Sequence, residues 1–203
     1  MEFWNSDLTE KSWKILQDIK KEEFRFIIIG GWAAYLWTRQ HKSRDIDVII
    51  PNYSEFEILK KKYILNKNDH LKKYEVKFEE IDLDIYLPHY SILAVPPEYA
   101  VKHTTMIEGF EVVQPEILLV LKQGAEMNRK DSVKGQKDRI DIITLLLYSP
   151  IDKKKYETIL KENNLQQYKE RLKTIITTFK EVEHVGLTIH TYAKKKKEIL
   201  NTI

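Results

Sequence analysis

The N-terminal half of the chain alternates between helical and strand-like patterns of hydrophobic positions. Apolar side chains at helical spacing predict an amphipathic helix from Leu8 to Lys21. The next stretch, Phe24 to Ile29, is apolar and rich in β-branched residues, which favours a strand that ends at Gly30-Gly31. The run from Trp32 to Trp37 follows directly, and we interpret it as a short buried helix.

Three further patterns extend this alternation. Asp45 to Ile50 is a second predicted strand that a proline ends, and Ser54 is expected to cap a helix running to about Tyr63. From Tyr74 to Leu87 apolar and polar residues largely alternate, which predicts one half-buried strand. The segment from Thr104 to Val113 predicts a hairpin that turns at Glu108-Gly109.

Beyond Gln114 the hydrophobic pattern is helical. Pro115 is suited to the first turn of a helix that carries Lys122 and Arg129. Four more helical pieces are predicted near Lys137–Leu147, Asp152–Glu162, Leu165–Val182 and Ile189–Ile203. The expected fold class is therefore α+β: residues 1–113 form a mixed sheet of three to five strands with flanking helices, and residues 114–203 form an all-helical part, with a further break near Pro150.

Composition narrows the class of protein. Hydrophobic residues make up 42% of the chain, which indicates a globular protein rather than a disordered one. There is no cysteine, which excludes disulfides, a thiolate nucleophile and Cys-ligated metal centres. The longest wholly apolar run, Phe26 to Trp37, is shorter than the ~20 residues that span a bilayer, and Met1 to Asn5 does not resemble a signal peptide. We expect a soluble cytoplasmic protein.

Positive charge is concentrated at the C-terminal end. Residues 151–203 carry 12 Lys and Arg against 7 Asp and Glu, a balance of +5, whereas the first 150 residues carry 22 against 24, a balance of −2. The basic residues run from Lys153 to Lys197 and include four consecutive lysines, Lys194 to Lys197. Two interpretations stay open: a solvated helix face, or an electrostatic footprint for nucleic acid. The four tryptophans, Trp4, Trp13, Trp32 and Trp37, are expected in the core rather than as base-stacking platforms.

The candidate chemistry begins at Gly30-Gly31. A strand that leads into two glycines and then a helix allows close approach of an anion to the backbone and points the first helical N–H groups at a phosphate. In the next strand Asp45 and Asp47 share one face, with Cα atoms ~6.6 Å apart, so both carboxylates suit one hard cation or a pair of cations. The alternative is that both are solvent-facing acids of an edge strand.

A third carboxylate is available on the strand that follows. Asp82 and Asp84 both lie on the polar face of the alternating segment, and the alternation does not choose between them. Three acids that converge from two strands would bind a divalent metal ion.

Two charged pairs occur in the predicted helices. Lys122 and Arg129 are two helical turns apart, so both lie on one face, about 10.5 Å apart, a span that suits the two ends of a triphosphate. Asp138 and Asp141 share a face of the next helix, where one of them would act as a base or hold Lys122 or Arg129 in place. Solvated helix charges are the alternative for Lys122 and Arg129. For Asp138 and Asp141 the alternative is an exposed acidic turn near a helix N-terminus.

The order and spacing of these residues resemble a known superfamily. Strand, Gly30-Gly31, helix, Asp45-x-Asp47 and then an acidic Ile-Asp-Leu-Asp-Ile strand resemble the nucleotidyltransferase fold of the polymerase β superfamily. Lys122-x-x-Ala125-x-x-x-Arg129 and Asp138-x-x-Asp141 resemble the third and fourth motifs of the AbiEii family, the toxin half of type IV toxin–antitoxin pairs. The four motifs together cover roughly Ile27 to Leu147.

The resemblance implies a Mg²⁺-dependent nucleotidyltransferase that moves a nucleoside monophosphate from an NTP to an acceptor by a two-metal mechanism. Asp45 and Asp47 would bind both Mg²⁺ ions, and Asp84 or Asp82 would complete the catalytic-side metal and activate the attacking hydroxyl. We favour Asp84 without excluding Asp82, because the Ile-Tyr-Leu-Pro that follows Asp84 resembles the superfamily's exit from this strand. Gly30 and Gly31, with Lys122 and Arg129, would bind the phosphates of the nucleotide, such as ATP.

The sequence departs from the superfamily pattern at two places. The second glycine of the motif is often a serine whose hydroxyl contacts a phosphate, whereas Gly31 offers only its backbone. Arg39 lies near, but not at, the position of the arginine in the first motif, so no role is assigned to it.

The resemblance also implies partners. It suggests an RNA acceptor such as tRNA, which the basic C-terminal helices would contact, and an antitoxin protein; no membrane partner is expected. Two alternatives remain: an enzyme that nucleotidylates (AMPylates) a protein hydroxyl, or a non-catalytic RNA-binding or protein-binding module on the same fold. The intact acids argue against the non-catalytic module.

Overall fold

The computed structural model of the protein describes residues 6–202, and these divide into two compact units. The first unit ends at Gln114 and the second begins at Pro115. Trp4 and Ile203, which figure in the expectations above, lie outside the described residues.

The first unit contains both helices and strands. Its helices are α1 (Ser6–Ile19), α2 (Gly30–Thr38), α3 (Tyr53–Lys62) and α4 (Pro97–Ala100), and its strands are β1 (Ile27–Ile29), β2 (Ile46–Ile49), β3 (Asn66–Asn68), β4 (Lys73–Phe78), β5 (Ile81–Tyr86), β6 (Thr104–Ile107) and β7 (Phe110–Val113). Within residues 6–202 these strands form one seven-stranded sheet in the order β3-β4-β5-β2-β1-β7-β6. The β2–β5 and β1–β7 pairs are parallel and the other neighbours are antiparallel, so the sheet is mixed.

The second unit, as far as Thr202, is helical. Its elements are α5 (Pro115–Arg129), α6 (Val133–Tyr148), α7 (Lys153–Glu162), α8 (Tyr168–Thr178), a 3₁₀ helix (Val182–Val185) and α9 (Ile189–Thr202). The α+β class predicted from the sequence is therefore confirmed, with the strands in the first unit and the helices dominating the second.

Apolar residues of the central strands form the core of the first unit. Ile27 and Ile28 of β1, Ile46 of β2, and Leu83 and Ile85 of β5 are fully buried. Successive residues of a strand face opposite sides of the sheet, so both sides are covered at β1, whereas in β5 only alternate residues are buried. Trp32 of α2 is also fully buried and donates a hydrogen bond from Nε1 to Ser12 Oγ at 2.9 Å, which confirms its expected place in the core.

The segment from Tyr74 to Leu87 is not one strand. It forms the antiparallel pair β4 and β5, joined at Glu79-Glu80, with Phe78 opposite Ile81. Glu79 has a φ of 53°, in the left-handed region that tight hairpin turns use. The expectation of a single strand was wrong because the turn contains neither glycine nor asparagine, the usual sequence signals for it. This split adds one strand, and the short strand β3 adds another, so the sheet has more strands than the three to five expected.

Two further boundaries differ from the expectations. Asn52, rather than Ser54, caps α3: its side chain accepts a hydrogen bond from the Glu55 N–H at 3.0 Å, whereas Ser54 donates from its hydroxyl to the Asn52 side chain. The helix expected to run as far as Val182 ends at Thr178, and a 3₁₀ helix follows. The expected hairpin at Glu108-Gly109 is present, with φ of 52° and 74° at these two residues.

Candidate active site

The diglycine forms the first turn of α2 directly after β1. Gly30 has a φ of 66°, and a Cβ atom placed there would overlap the carboxylate of Asp47. Both the backbone angle and the space therefore require glycine at this position. No side chain caps the start of α2, where Ile29 is the N-cap residue. The Asp47 carboxylate thus lies against the first turn of the helix.

Asp47 and Asp84 are direct neighbours across the parallel pair of strands β2 and β5. Residues in register on adjacent strands lie about 4.8 Å apart and face the same side of the sheet. The sequence places the two acids on separate strands, and the register shows that these strands bring them together.

Burial and the charge of Asp47 together perturb Asp84. The pKa of Asp84 is raised to about 6, mainly by burial and next by the negative charge of Asp47. The hydrogen bond and the positive charge of Lys73 act in the opposite direction but do not outweigh these two effects. A carboxyl group that titrates near neutral pH suits a general base, because it can both hold and release a proton under working conditions.

Lys73 is a member of this cluster that the sequence did not indicate. Its ammonium lies 2.6 Å from Asp84 Oδ2 and 3.0 Å from Glu75 Oε1, and its side chain is only 11% exposed. Burial lowers the pKa of Lys73, but its hydrogen bonds and charge interactions with Asp84 and Glu75 outweigh that effect and raise it. Lys73 is therefore a charged counter-ion of Asp84. A lysine at the start of a polar strand gives no local signal of this role, because the contact depends on the hairpin between β4 and β5.

Asp45 lies immediately before β2, two residues from Asp47. Its side chain is 39% exposed, although Oδ1 itself is buried and accepts no hydrogen bond within residues 6–202. Arg44 Nε lies 3.4 Å from Oδ1, but it donates its hydrogen bond to the Glu80 carbonyl at 3.1 Å instead. Asp45 thus keeps one oxygen without a donor.

Asp82, the other candidate for a third carboxylate, lies two residues before Asp84 on β5. It pairs with Lys77 of β4 and precedes the first paired residues of β2 and β5, Ile46 and Leu83. Asp84, not Asp82, is the residue opposite Asp47.

The donor set fits a hard divalent cation. Asp45 and Asp84 each have a buried carboxylate oxygen, Oδ1, that accepts no hydrogen bond from any described residue. Asp47 and Asp84 carry like charges at facing positions of two neighbouring strands, and a bound cation would offset the repulsion between them. Within residues 6–202 no three His, Asp or Glu side chains converge into a ready-made metal centre. Mg²⁺ is usually bound through one or two carboxylates, with water and substrate phosphate oxygens completing its shell.

The second unit contains a charged cluster formed by α5 and α6. Lys122 Nζ lies 2.5 Å from Asp141 Oδ2 and 3.5 Å from Asp138 Oδ1, and the side chains of both acids are at most 4% exposed. Arg129 donates two hydrogen bonds to Asp138, at 2.7 and 3.0 Å. Lys122 and Arg129 thus share a face of α5, as the spacing predicted. On that face Asp141 pairs with Lys122, and Asp138 pairs with both cations.

The basic residues near the C-terminus lie on α9. Tyr192 and Ile199 are buried, while Lys194, Lys195 and Lys197 are exposed. Lys195 pairs with Glu198 at 3.0 Å. Both interpretations of this face, solvation and nucleic-acid binding, are compatible with such exposure.

None of the helices within residues 6–202 has the length and apolar character needed to cross a bilayer. No protein-family model matches the chain, and no curated protein sequence matches it.

Several solved structures resemble the chain. ANT(2″)-Ia, an aminoglycoside nucleotidyltransferase solved in complex with adenylyl-2″-tobramycin, matches with a TM-score of 0.50 at 14% identity, over 78% of this chain and 98% of that chain. An antigenic nucleotidyltransferase-like protein from Paracoccidioides brasiliensis matches with a TM-score of 0.47 at 19% identity, over 85% and 93%. JHP933 from Helicobacter pylori matches with a TM-score of 0.48 at 13% identity, over 97% and 93%. At these identities the likeness concerns the fold alone, and the chain has a nucleotidyltransferase-like fold.

Proposed function

We propose that this protein is a divalent-metal-dependent nucleotidyltransferase that moves a nucleoside monophosphate from an NTP to an acceptor hydroxyl. One observation carries the proposal: the Asp47 carboxylate lies against Gly30 at the start of α2 and is in register with Asp84. An anion-binding helix start and a pair of carboxylates are thereby adjacent, which is what a metal-bound triphosphate requires.

The residues of this cluster divide into two roles. The N–H groups of Gly30 and Gly31 would bind phosphate oxygens, and Asp45, Asp47 and Asp84 would hold Mg²⁺. The metal would neutralise the triphosphate and stabilise the charge that develops during transfer. The acceptor oxygen forms a bond to the α-phosphorus, the bond from that phosphorus to the bridging oxygen breaks, and pyrophosphate leaves. Asp84, whose pKa is raised to about 6, would take the proton of the acceptor hydroxyl.

We propose that Lys122 and Arg129 bind the phosphates of the nucleotide. The order of the motifs along the chain supports this role. The contacts in the second unit favour the positioning role for their acidic partners. Asp138 and Asp141 are buried and bonded to the two cations, so they hold Lys122 and Arg129 in place rather than acting as bases.

We propose RNA as the acceptor, with tRNA as the first candidate. The charge balance of +5 in residues 151–203 supports this choice, since phosphate neutralisation provides most of the sequence-independent affinity for RNA. The exposed lysines of α9 are the natural contact. Replacing Lys194 to Lys197 by Gln should then flatten the log–log dependence of RNA affinity on salt. For each phosphate that the variant no longer neutralises, the slope should fall by about 0.7 on single-stranded RNA and by somewhat more on duplex RNA.

The toxin assignment is also a proposal, and the AbiEii-like order of the motifs supports it. Controlled expression in a bacterial host tests this assignment: wild-type protein should arrest growth, and Asp47→Asn should not. Equal growth of both strains would remove the toxin role, and with it the reason to expect an antitoxin.

The proposed reaction is tested by incubating the purified protein with Mg²⁺, total RNA and each of the four α-labelled NTPs separately. The expected result is labelled RNA with one or two of the nucleotides and none with Asp47→Asn. Label on the protein itself or on an added protein would favour the protein-nucleotidylating alternative. No label on RNA or on protein would favour a non-catalytic binding module.

A further inference from the structure

Ser43 fills the space beside the second glycine. A Cβ atom placed on Gly31 would overlap Ser43 Oγ and would lie 2.7 Å from Ser43 Cβ. Ser43 is only 4% exposed, so it is packed against its neighbours rather than lying on the surface. The Ser43 side chain therefore occupies the volume that a side chain at position 31 would fill.

The hydroxyl of Ser43 makes no hydrogen bond with any residue between positions 6 and 202. Its oxygen is not among the fully enclosed polar atoms without a partner in this part of the chain, so it stays open to solvent or to a ligand. The first turn of α2 beside it has no side-chain cap either, and α2 is a helix of 9 residues. A hydroxyl without a partner in the described chain, on a side chain that is otherwise packed, thus lies beside the start of a helix whose first N–H groups favour an anion.

We propose that Ser43 Oγ donates a hydrogen bond to a phosphate group of the nucleotide bound at the start of α2. The inference rests on the proposed function and adds a specific donor from outside the diglycine motif. Because Gly31 has no side chain, there is room beside it for the hydroxyl of Ser43, which lies in the loop before Asp45. Substrate phosphate would be the partner that the hydroxyl lacks within the described chain.

The first test measures nucleotide binding without turnover. Binding of the α,β-methylene analogues of ATP, GTP, CTP and UTP, each with Mg²⁺, is measured by calorimetry for wild type and Ser43→Ala. The dissociation constant of the preferred analogue should rise roughly tenfold in Ser43→Ala, as expected when one hydrogen bond to a charged group is removed. The melting temperature should stay near wild type, since the substitution breaks no bond within the described chain.

Ser91→Ala provides the matched control. Ser91 is another buried serine of the first unit, 7% exposed, and its hydroxyl accepts a hydrogen bond from the Leu87 N–H at 3.0 Å. This variant should lose some thermal stability and keep wild-type affinity for the analogue, the opposite of Ser43→Ala.

A relocated hydroxyl provides the second test. Gly31→Ser alone should weaken both folding and binding, because the new side chain overlaps Ser43. Ser43→Gly alone should bind the analogue as weakly as Ser43→Ala. The double variant Gly31→Ser, Ser43→Gly has room for the new side chain, and Gly31 is not among the glycines with positive φ, so its backbone accepts serine. This double variant should recover most of the wild-type affinity.

The outcomes separate the inference from the proposed function. If wild type binds an analogue and Ser43→Ala binds it equally well, Ser43 has no phosphate contact and the inference is overturned. If the double variant folds but stays as weak as Ser43→Gly, a hydroxyl at this place does not contact phosphate, which also overturns it. If wild type binds none of the four analogues, the proposed function itself fails, and the inference fails with it.

Discussion

Asp47 and Asp84 lie opposite each other on the parallel strands β2 and β5, with both carboxylates on one face of the sheet. Two acids at this spacing repel each other, and burial at Asp84 increases the energetic cost. Lys73 offsets part of that cost through its contact at 2.6 Å with Asp84. The arrangement is unfavourable for folding alone, which is a common property of sites that bind a cation or carry out proton transfer.

A divalent cation should stabilise the folded protein through this pair. At pH 7.5, millimolar Mg²⁺ or Mn²⁺ should raise the melting temperature of wild type, because a ligand that binds only the native state adds to its stability. Asp47→Asn should abolish the shift, and Asp45→Ala should reduce it. Both variants should melt near or above the metal-free wild type, since each relieves repulsion among the acids. Differential scanning fluorimetry with a series of metal concentrations measures these shifts.

Asp82→Asn is the control for this experiment, because Asp82 lies on the same strand and the same face but is not opposite Asp47. It should keep the full metal-dependent shift, whereas Asp84→Asn should lose it. The reverse pattern would make Asp82 the third carboxylate. A shift that survives in Asp47→Asn would show that the cation binds elsewhere.

The raised pKa of Asp84 predicts how stability depends on pH. Between its ordinary value of 3.8 and about 6, the folded state binds more protons at this group than the unfolded state does. The contribution of Asp84 to the free energy of unfolding therefore falls as the pH rises through this window, by about 3 kcal/mol at most. Asp84→Asn should be more stable than wild type at pH 8 in the absence of metal, and the gain should vanish near pH 4.

Urea denaturation of wild type and Asp84→Asn at pH 4, 6 and 8 measures this difference. A variant that is less stable than wild type at pH 8 would show that the ion pair with Lys73 outweighs burial and the repulsion from Asp47.

Lys73 should stabilise the metal-free protein at high pH. Lys73→Met leaves the buried Asp84 carboxylate without its counter-ion, which should cost about 3 kcal/mol at pH 8. The loss should be smaller at pH 5, where Asp84 is protonated. Lys77→Met, an exposed position on the same strand, should change stability by less than about 0.5 kcal/mol. Equal losses in the two variants at pH 8 would remove Lys73 from the cluster.

Much of the first unit was predictable from local patterns. The apolar run before Gly30, the diglycine and the two acids around Ile46 each have a strong local signal, and the structure has a strand, a helix start and a strand at these places. The β4–β5 turn was missed because Glu79 adopts a left-handed conformation that its side chain does not favour. The short polar strand β3 (Asn66–Asn68) was missed because it has no apolar face.

The contacts that complete the site depend on long-range pairing. The choice between Asp82 and Asp84 as the neighbour of Asp47 depends on the strand register, which alternation alone does not determine. Lys73 reaches Asp84 only because the chain reverses between the two strands. Ser43 lies in a loop, and its position beside Gly31 follows from the folded path of the chain rather than from its neighbours in sequence.

The role assigned to Lys122 is separable from its structural role. Lys122→Met alone should destabilise the protein by about 3 kcal/mol, because Asp141 is left buried without its partner. The double variant Lys122→Met, Asp141→Asn removes both charges and should recover most of that stability. Its kcat/KM for the NTP should still fall by about one to two decades, the effect of removing one charged hydrogen bond to phosphate.

Steady-state kinetics of this double variant, beside the exposed-site variant Lys67→Met, tests the assignment. Wild-type kinetics in the double variant would leave Lys122 with a structural role only.

The most direct measurement of the proposed chemistry compares the fate of the α- and γ-phosphates of the nucleotide. Purified protein is incubated with Mg²⁺, total RNA and the preferred NTP, labelled at either the α- or the γ-phosphorus, with Asp47→Asn run in parallel. Nucleotidyl transfer predicts α label on RNA, an equal amount of pyrophosphate in solution, no γ label on RNA, and neither product with Asp47→Asn. Transfer of the γ label to an acceptor, or α-label transfer that persists in Asp47→Asn, would contradict a nucleotidyltransferase site built on Asp47 and Asp84.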